Sequence, residues 1–183
     1  MSEVCVFLAD GFEEIEALTV VDLLRRAKVY VDTVSITDDY TVRGAHGIPV
    51  QTEDLITEID FKESDMIVLP GGMPGTTNLK EDENVRKAVQ EAYDDGRYVA
   101  AICAAPTILA DMGLLKGKRA TCYPDMESEI EDAYLTGAPV ATDENIITSQ
   151  GVGTAIDFAL KLIEVLISEE KAVEIADSIV YQR

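Results

Sequence analysis

The segment YVAAICAAPT, residues 98–107, predicts a buried strand that turns directly into a helix. Its first half, Tyr98 to Ile102, is a short apolar run typical of a strand. Pro106 suits the first turn of a helix, because its fixed backbone torsion matches that position and its missing N–H has no helical partner there. Cys103 is therefore expected at the bend, where a sharp turn raises one side chain above the sheet.

Cys103 has two interpretations at this point. A thiol at a helix N-terminus faces the positive end of the helix dipole, which stabilises the thiolate and favours a reactive cysteine. Free cysteine also behaves as a small hydrophobic residue, so a buried structural role is equally open. The G-x-S-x-G motif of nucleophile elbows is absent, and the choice depends on which other residues converge on this bend.

The composition is typical of a soluble protein with an acidic surface. The chain has 183 residues, which suits a single domain over residues 1–183. A formal net charge of −20 argues against nucleic acid and anionic membranes as partners. No apolar run approaches the roughly 20 residues that span a bilayer, and no basic segment followed by an apolar one begins the chain. We expect a cytoplasmic protein.

The cysteines and the histidine do not predict a metal site. Cys5, Cys103 and Cys122 are too far apart for a C-x-x-C motif, and one histidine makes a zinc cluster improbable. An odd-numbered set of cysteines does not indicate a disulfide scaffold either. His46, the single histidine, falls in the glycine-flanked turn 44–47, where a histidine without a specific function is the ordinary interpretation.

Strand-like and helix-like segments alternate along the chain. Strands are predicted at 4–9, 29–36, 65–69, 98–102, 139–142 and 145–149, with a hairpin of 41–43 and 48–51 and a short strand after 119. Helices are predicted at 12–26, 83–95, 107–112, 126–133, 155–167 and 169–179, the first with Ile15 and Leu18 on its apolar face. This alternation predicts an α/β sandwich around a mostly parallel sheet.

Three loops should meet at one edge of this sheet, beyond the carboxyl ends of its strands, where such sheets bind ligands. They cover residues 10–16, 70–75 and 103–106. Glutamates in a first helical turn ordinarily complement the helix dipole, an interpretation we keep for Glu13 and Glu14. Convergence of the loops favours Glu16 as a site residue together with Cys103 and the glycines after residue 69, whose backbone can approach a ligand closely.

Five stretches of the sequence resemble the ThiJ/PfpI superfamily, in particular the branch of the parkinsonism-associated deglycase and the bacterial YajL-type proteins. They are GFEEIE at 11–16, VDLLRRA at 21–27, VLPGG at 68–72, AICAAPT at 101–107 and TSQGVGTA at 148–155. They follow the family's order and spacing over nearly the whole chain.

The resemblance implies a flavodoxin-like three-layer α/β sandwich that forms a homodimer and needs neither cofactor nor metal. Cys103 matches the nucleophile and Glu16 the carboxyl group that hydrogen-bonds it, while Gly72 and Ala104 match backbone N–H groups facing the cysteine. In relatives the glutamate is thought to be protonated and to donate to the thiolate. Such a bond lowers a thiol pKa, whereas burial beside a thiolate raises that of the carboxyl group.

Further pocket candidates follow from the same resemblance: Gly71, Tyr123, Gln150, Arg26 and His46. Tyr123 stands where some relatives have a histidine, and no histidine follows Cys103 in this chain. Peptidase or glutaminase chemistry is therefore disfavoured, because it needs an imidazole base. His46 could supply one only from a distant loop or from a partner subunit.

Two functional classes remain open. The first is a cysteine-dependent enzyme acting on small α-oxoaldehydes such as methylglyoxal, of the glyoxalase III type, with deglycation of early glycation adducts as a related activity. The second is a non-catalytic redox sensor or oxidative-stress protein in which Cys103 is oxidised to the sulfenic or sulfinic acid. The backbone N–H groups suited to an oxyanion have no evident use in a pure sensor, which favours the enzyme.

Overall fold

A seven-stranded, mostly parallel sheet forms the centre of the molecule. The structure, a computed structural model, describes residues 2–182. The strands are β1 Glu3–Leu8, β2 Tyr30–Ser35, β3 Thr41–Arg43, β4 Pro49–Gln51, β5 Asp54–Leu55, β6 Met66–Leu69, β7 Tyr98–Ile102, β8 Arg119–Ala120, β9 Tyr134–Leu135, β10 Val140–Asp143 and β11 Ile146–Ser149. The helices are α1 Glu14–Arg26, α2 Gly75–Glu81, α3 Glu83–Asp94, α4 Pro106–Asp111, α5 Ala155–Leu166 and α6 Glu169–Ser178.

The order of strands in the sheet is β10-β11-β7-β6-β1-β2-β5. Every neighbouring pair is parallel except β10 and β11, which form an antiparallel hairpin from the strands predicted at 139–142 and 145–149. Parallel strands covered on both faces need apolar side chains on both faces, which is why β1 and β6 are continuous buried runs. The predicted α/β class with a mostly parallel sheet is confirmed.

Two apolar cores lie on the two faces of the sheet and complete three layers. One core joins the sheet to α1, α5 and α6 through residues such as Leu24, Phe158 and Ile175. The other joins it to α2, α3 and α4 through Leu79, Val89 and Ile108. Within residues 2–182 no helix combines the length and the apolar character needed to cross a membrane.

The buried face of α1 differs from the predicted one. Ile15 and Leu18 are 53% and 36% exposed, although their spacing indicated the core. The buried face instead runs along Glu16, Val20 and Leu24, which lie four residues apart on one side of the helix. The helix is turned so that the carboxyl group of Glu16 points into the protein.

Two predicted helical regions also differ. Helix α2 was not predicted, because its sequence GTTNLKE is mostly polar and Leu79 is its only large buried apolar side chain. The helix expected at 126–133 is instead a 3-10 helix at Pro124–Glu129, with none of its residues buried. A segment without a buried apolar face has nothing to hold it in a longer α-helix.

Candidate active site

Cys103 occupies the bend between β7 and α4, as the sequence predicts. Its φ of +65° lies in the left-handed region, which residues other than glycine adopt rarely and mostly at functional sites. Its backbone N–H donates to Ser149 O at 2.9 Å, and its carbonyl oxygen accepts from the N–H of Tyr123 at 2.8 Å. Neighbouring segments thus hold both backbone groups and maintain the strained conformation.

Glu16 approaches this thiol from the first turn of α1. The residue is fully buried, and its Oε2 accepts a hydrogen bond from the N–H of Gly71 at 2.9 Å. Its Oε1 is buried without a well-aligned donor among the described residues. The thiol of Cys103 is the side chain that interacts with this carboxyl group. The buried carboxyl group of Glu16 and the half-buried thiol of Cys103 form an acid–base couple.

The loop after β6 passes so close to this couple that it requires glycine. A Cβ on Gly71 would lie 2.6 Å from Cys103 Cβ and 2.8 Å from Glu16 Oε2. Gly72 has a φ of +91°, and a Cβ there would lie 2.4 Å from the backbone nitrogen of Glu13. This close packing directs the backbone N–H groups of Gly72 and Ala104 at the sulfur of Cys103.

The pKa values of the two groups are shifted in the same direction. Burial raises the pKa of Glu16 to about 7, although the bonds from Cys103 and the N–H of Gly71 oppose the shift. Burial and the neighbouring carboxyl group raise the pKa of Cys103 to about 12, against the N–H groups of Ala104 and Gly72. At neutral pH the sulfur therefore keeps its proton, and Glu16 is poised to take it.

This arrangement differs from the preformed thiolate that the helix dipole and the resemblance indicate. The reason is that a buried carboxylate next to a thiol makes a second negative charge unfavourable. The two groups titrate as a coupled pair, and near pH 7 the carboxyl group is about half ionised while the thiol keeps its proton. The site suits a cysteine that is deprotonated as it attacks, with Glu16 as the base.

A small open space lies beside the couple, at Gly151. A Cβ built on Gly151 would lie 3.6 Å from Tyr123 Cδ2, 3.7 Å from Cys103 Sγ and 3.8 Å from Glu16 Oε1. Gly151 was not singled out from the sequence, and its only signal was its position in the loop that directly follows β11. Tyr123, which was singled out, therefore borders the same small space as the thiol through its ring edge.

Gln150 and Arg26 have their contacts elsewhere. The side chain of Gln150 donates to Gly137 O at 3.4 Å. The guanidinium group of Arg26 donates to Asp22 Oδ2 at 2.6 Å. Arg26 ends α1, and at a rise of about 1.5 Å per residue it lies roughly 15 Å along the helix axis from Glu16. Within one chain, neither side chain has the contacts of a pocket residue.

His46 is paired with Glu14. Its Nδ1 lies 2.8 Å from Glu14 Oε2, and its backbone N–H donates to Glu14 Oε1 at 2.8 Å. Burial alone would raise the pKa of Glu14, but the bonds from His46 hold it below its usual value. The same pairing raises the pKa of His46. Glu14 is thus more than a complement to the helix dipole, because it fixes the β3–β4 turn against α1.

One group of potential metal ligands occurs within residues 2–182. It consists of Glu13, Glu14 and His46, whose ligand atoms all lie within 4.8 Å of one another. His46 Nδ1 is 3.7 Å from Glu13 Oε2, and its shorter contact is with Glu14. The ion pair accounts for this arrangement, and the absence of a metal stays a prediction.

One cavity of the protein lies next to the Cys103 site but does not contain the thiol. It has a volume of about 450 Å³ and lies between α2, α4 and the 3-10 helix at Pro124–Glu129, with Thr76, Thr107 and Met126 in its wall. Ala104 is the one residue it shares with the Cys103 site. The small space at Gly151 is the candidate reaction site, because the thiol of Cys103, the carboxyl group of Glu16 and the two backbone N–H groups are grouped there.

Comparison with known proteins identifies the family. The model of the DJ-1/PfpI family matches residues 2–165. Protein DJ-1 homolog B of Arabidopsis thaliana is 39% identical over 180 residues, covering 97% of this chain and 41% of its own length. The glutathione-independent glyoxalase DJ-1 of Schizosaccharomyces pombe is 34% identical over 182 residues, covering 93% of this chain and 94% of its own length.

A solved structure extends the likeness to the fold. A mutant of a DJ-1 superfamily protein from Salmonella typhimurium superposes with a TM-score of 0.95 at 34% identity, with 100% of both chains covered. The flavodoxin-like architecture implied by the resemblance is confirmed. The spacing of the motifs, the position of Cys103 and these comparisons agree, and the chain belongs to the DJ-1/PfpI family.

Proposed function

We propose that this protein is a cysteine-dependent, cofactor-independent enzyme that converts small α-oxoaldehydes such as methylglyoxal to hydroxy acids. The observation that carries the proposal is the couple of buried Glu16 and half-buried Cys103, in which the carboxyl pKa is about 7. A general base is most effective when its pKa lies near the working pH. The similarity to a glyoxalase named glutathione-independent supports the same reaction class.

The first step is addition of Cys103 to the aldehyde carbon. The sulfur–carbon bond forms, the carbonyl π electrons move to oxygen, and the thiol proton goes to Glu16. The N–H groups of Gly72 and Ala104 are directed at the sulfur, so an oxygen on the attached carbon is within their reach. Such fixed donors stabilise the developing oxyanion. Protonation of that oxygen by Glu16 gives a hemithioacetal and restores the carboxylate.

The second step moves hydrogen between the two substrate carbons. Glu16 takes the proton from the former aldehyde carbon and returns it to the neighbouring ketone carbon, while the hydroxyl proton on the first carbon is transferred to the oxygen of the second. The first carbon is thereby oxidised to a thioester and the second is reduced to an alcohol, so that no external oxidant is needed. Water then hydrolyses the thioester, which releases lactate and regenerates the thiol of Cys103.

The test is formation of lactate from methylglyoxal by the fully reduced protein, without glutathione or added metal. We expect one lactate for each methylglyoxal consumed. Methylglyoxal also disappears by reacting with arginine and lysine side chains, so lactate itself must be measured. Loss of methylglyoxal without lactate, or no loss with correctly folded protein, would rule out this function for this substrate.

The dependence of activity on pH tests the role of Glu16 as base. Because the pKa of Glu16 is about 7, kcat/KM should rise about tenfold per pH unit below that value and level off above it. No falling limb is expected up to pH 9, because the thiol pKa is about 12. Initial rates of lactate formation between pH 5 and pH 9 measure this profile. A rate that falls between pH 6 and pH 8 would contradict it.

The same couple of Glu16 and Cys103 argues against the redox-sensor alternative. Oxidation by peroxide follows the thiolate character of a cysteine. A thiol whose pKa is raised to about 12 has little thiolate at neutral pH, whereas an enzyme with an adjacent base needs none in advance. Deglycation of early adducts would follow from the same enzyme activity, because removal of free methylglyoxal reverses the adducts that are in equilibrium with it.

We further propose that the protein acts in the cytoplasm as a homodimer. Its three cysteines are all unpaired, which suits a reducing compartment. Ile15 and Leu18 lie one turn apart and exposed on α1, and a second copy would cover such an apolar surface. Light scattering should give twice the chain mass of 19.9 kDa, and a monomer would contradict the dimer.

A further inference from the structure

The space beside the thiol is closed on one side by an aromatic ring. The atom of Tyr123 that faces it is Cδ2, a ring carbon, at 3.6 Å from the Cβ position on Gly151. The same position is 3.7 Å from Cys103 Sγ and 3.8 Å from Glu16 Oε1. These are ordinary van der Waals distances, so the gap between ring, thiol and carboxyl group has room for about one methyl-sized group.

Tyr123 is held in place through its backbone. Its N–H donates to the carbonyl oxygen of Cys103 at 2.8 Å, so the residue is tied to the nucleophile itself. Pro124 follows and begins the 3-10 helix, which fixes the direction of the chain. The residue is 44% exposed, and the Cδ2 edge of its ring borders the same gap as the thiol. A substrate approaching from that side meets the ring edge.

We propose that Tyr123, with Gly151 opposite, limits the size of the substrate that reaches Cys103. In glyoxal and methylglyoxal the second carbon carries only hydrogen or methyl, and a substituent of that size fits the gap beside the ring. A bulkier α-oxoaldehyde such as phenylglyoxal meets the ring of Tyr123. This inference rests on the proposed function and adds a specificity-determining residue to it. A difference of one methylene in an apolar pocket already changes specificity by about 10- to 200-fold.

The first test compares Tyr123→Ala with wild type on methylglyoxal and phenylglyoxal. We expect the ratio of kcat/KM for phenylglyoxal to that for methylglyoxal to rise about tenfold or more, mainly through KM for phenylglyoxal. Tyr123→Phe keeps the ring and should keep this ratio. Tyr30→Ala is the matched control, because Tyr30 is 55% exposed at the start of β2, at the opposite end of the sheet.

The second test does not depend on enzymatic activity. Iodoacetamide and N-phenylmaleimide differ in size and both alkylate thiols, and Cys5 and Cys122 are 0% and 1% exposed. We expect Tyr123→Ala to accelerate alkylation of Cys103 by N-phenylmaleimide about tenfold relative to iodoacetamide. Peptide mapping assigns the alkylated cysteine, and circular dichroism checks that the variant is folded.

The outcomes separate the two proposals. An altered alkylation ratio without any lactate from the wild type would support the size limit and refute the proposed function. An unchanged ratio in folded Tyr123→Ala, for both alkylation and catalysis, would overturn the size limit. An equal change in Tyr123→Phe would also overturn it, because the hydroxyl group and not the ring would then be responsible.

Discussion

Cys103→Ser is expected to lower kcat/KM for methylglyoxal by on the order of 10³-fold or more, as loss of a nucleophile does in other enzymes. Serine keeps the size of the side chain but has a hydroxyl group that is far less acidic than a thiol. A carboxylate with a pKa of about 7 cannot deprotonate it effectively. Initial rates of lactate formation, with product identified separately from substrate loss, measure the effect.

Cys5→Ala is the control for this substitution. Cys5 is fully buried in β1 and has no place in the proposed mechanism, so its removal should leave lactate formation largely unchanged. Cys103→Ser should also stay folded, because the left-handed backbone at this position and its two backbone hydrogen bonds are retained. A folded Cys103→Ser protein that still forms lactate at the wild-type rate would exclude Cys103 as the nucleophile.

Glu16→Gln is expected to lower kcat by about 10²- to 10⁴-fold, the usual contribution of a general base. Glutamine has the same shape and can still accept the N–H of Gly71, so the loop after β6 should remain in place. It cannot take a proton from the thiol or from the substrate carbon. Oxidation of Cys103 by peroxide should change in rate but persist, since that reaction needs no proton transfer between carbons.

The same substitution should stabilise the fold in a pH-dependent way. The pKa of Glu16 is raised from 4.5 to about 7, so the folded state favours the protonated carboxyl group. The stability this group provides is full below pH 4.5 and is lost as the pH rises through about 7. At about 1.4 kcal/mol per pKa unit, Glu16→Gln should be more stable than wild type by about 3 kcal/mol at pH 8.

Urea unfolding at pH 5 and pH 8 measures this difference. Near pH 5 the advantage of Glu16→Gln should be below about 1 kcal/mol, because the carboxyl group of the folded wild type is still protonated and this pH lies only slightly above the pKa of 4.5 in the unfolded chain. Glu16→Ala serves as the comparison, because it removes the carboxyl group and also leaves the N–H of Gly71 without its acceptor. An equal advantage of glutamine at both pH values would contradict the raised pKa.

The sheet could be predicted because its strands are long apolar runs. The runs that contain Val6, Val68 and Ala100 are buried on both faces. In a chain that also has amphipathic helices, such apolar runs fit best as central strands with helices covering both faces of the sheet. Helix α2 escaped prediction because its burial depends on Leu79 alone. The assignment of Ile15 to the core was wrong. The burial of Glu16 sets the rotation of α1, and the periodicity of apolar residues contains no information about a buried glutamate.

Within the site, sequence could identify Cys103 and Glu16 but not their electrostatics. Their convergence follows from the topology of a parallel sheet, whose loops meet at one edge. Whether the thiol pKa is raised or lowered depends on how deeply the neighbouring carboxyl group is buried. Only the structure shows this burial. Gly151 was not predicted as a site residue, because a glycine has no side chain whose chemistry the sequence could show. Its place in the site follows from the atoms that a Cβ at this position would touch.

The hydrogen bond from the N–H of Cys103 to Ser149 has a consequence for the order of folding. β7 lies between β6 and β11, and β11 is the last strand of the sheet to be synthesised. Contacts between such distant segments form late, because closing a long loop must precede them. A nascent chain that ends before residue 146 lacks the acceptor for the N–H of Cys103, so the bend at this residue gains its full backbone support only after β11 has been synthesised.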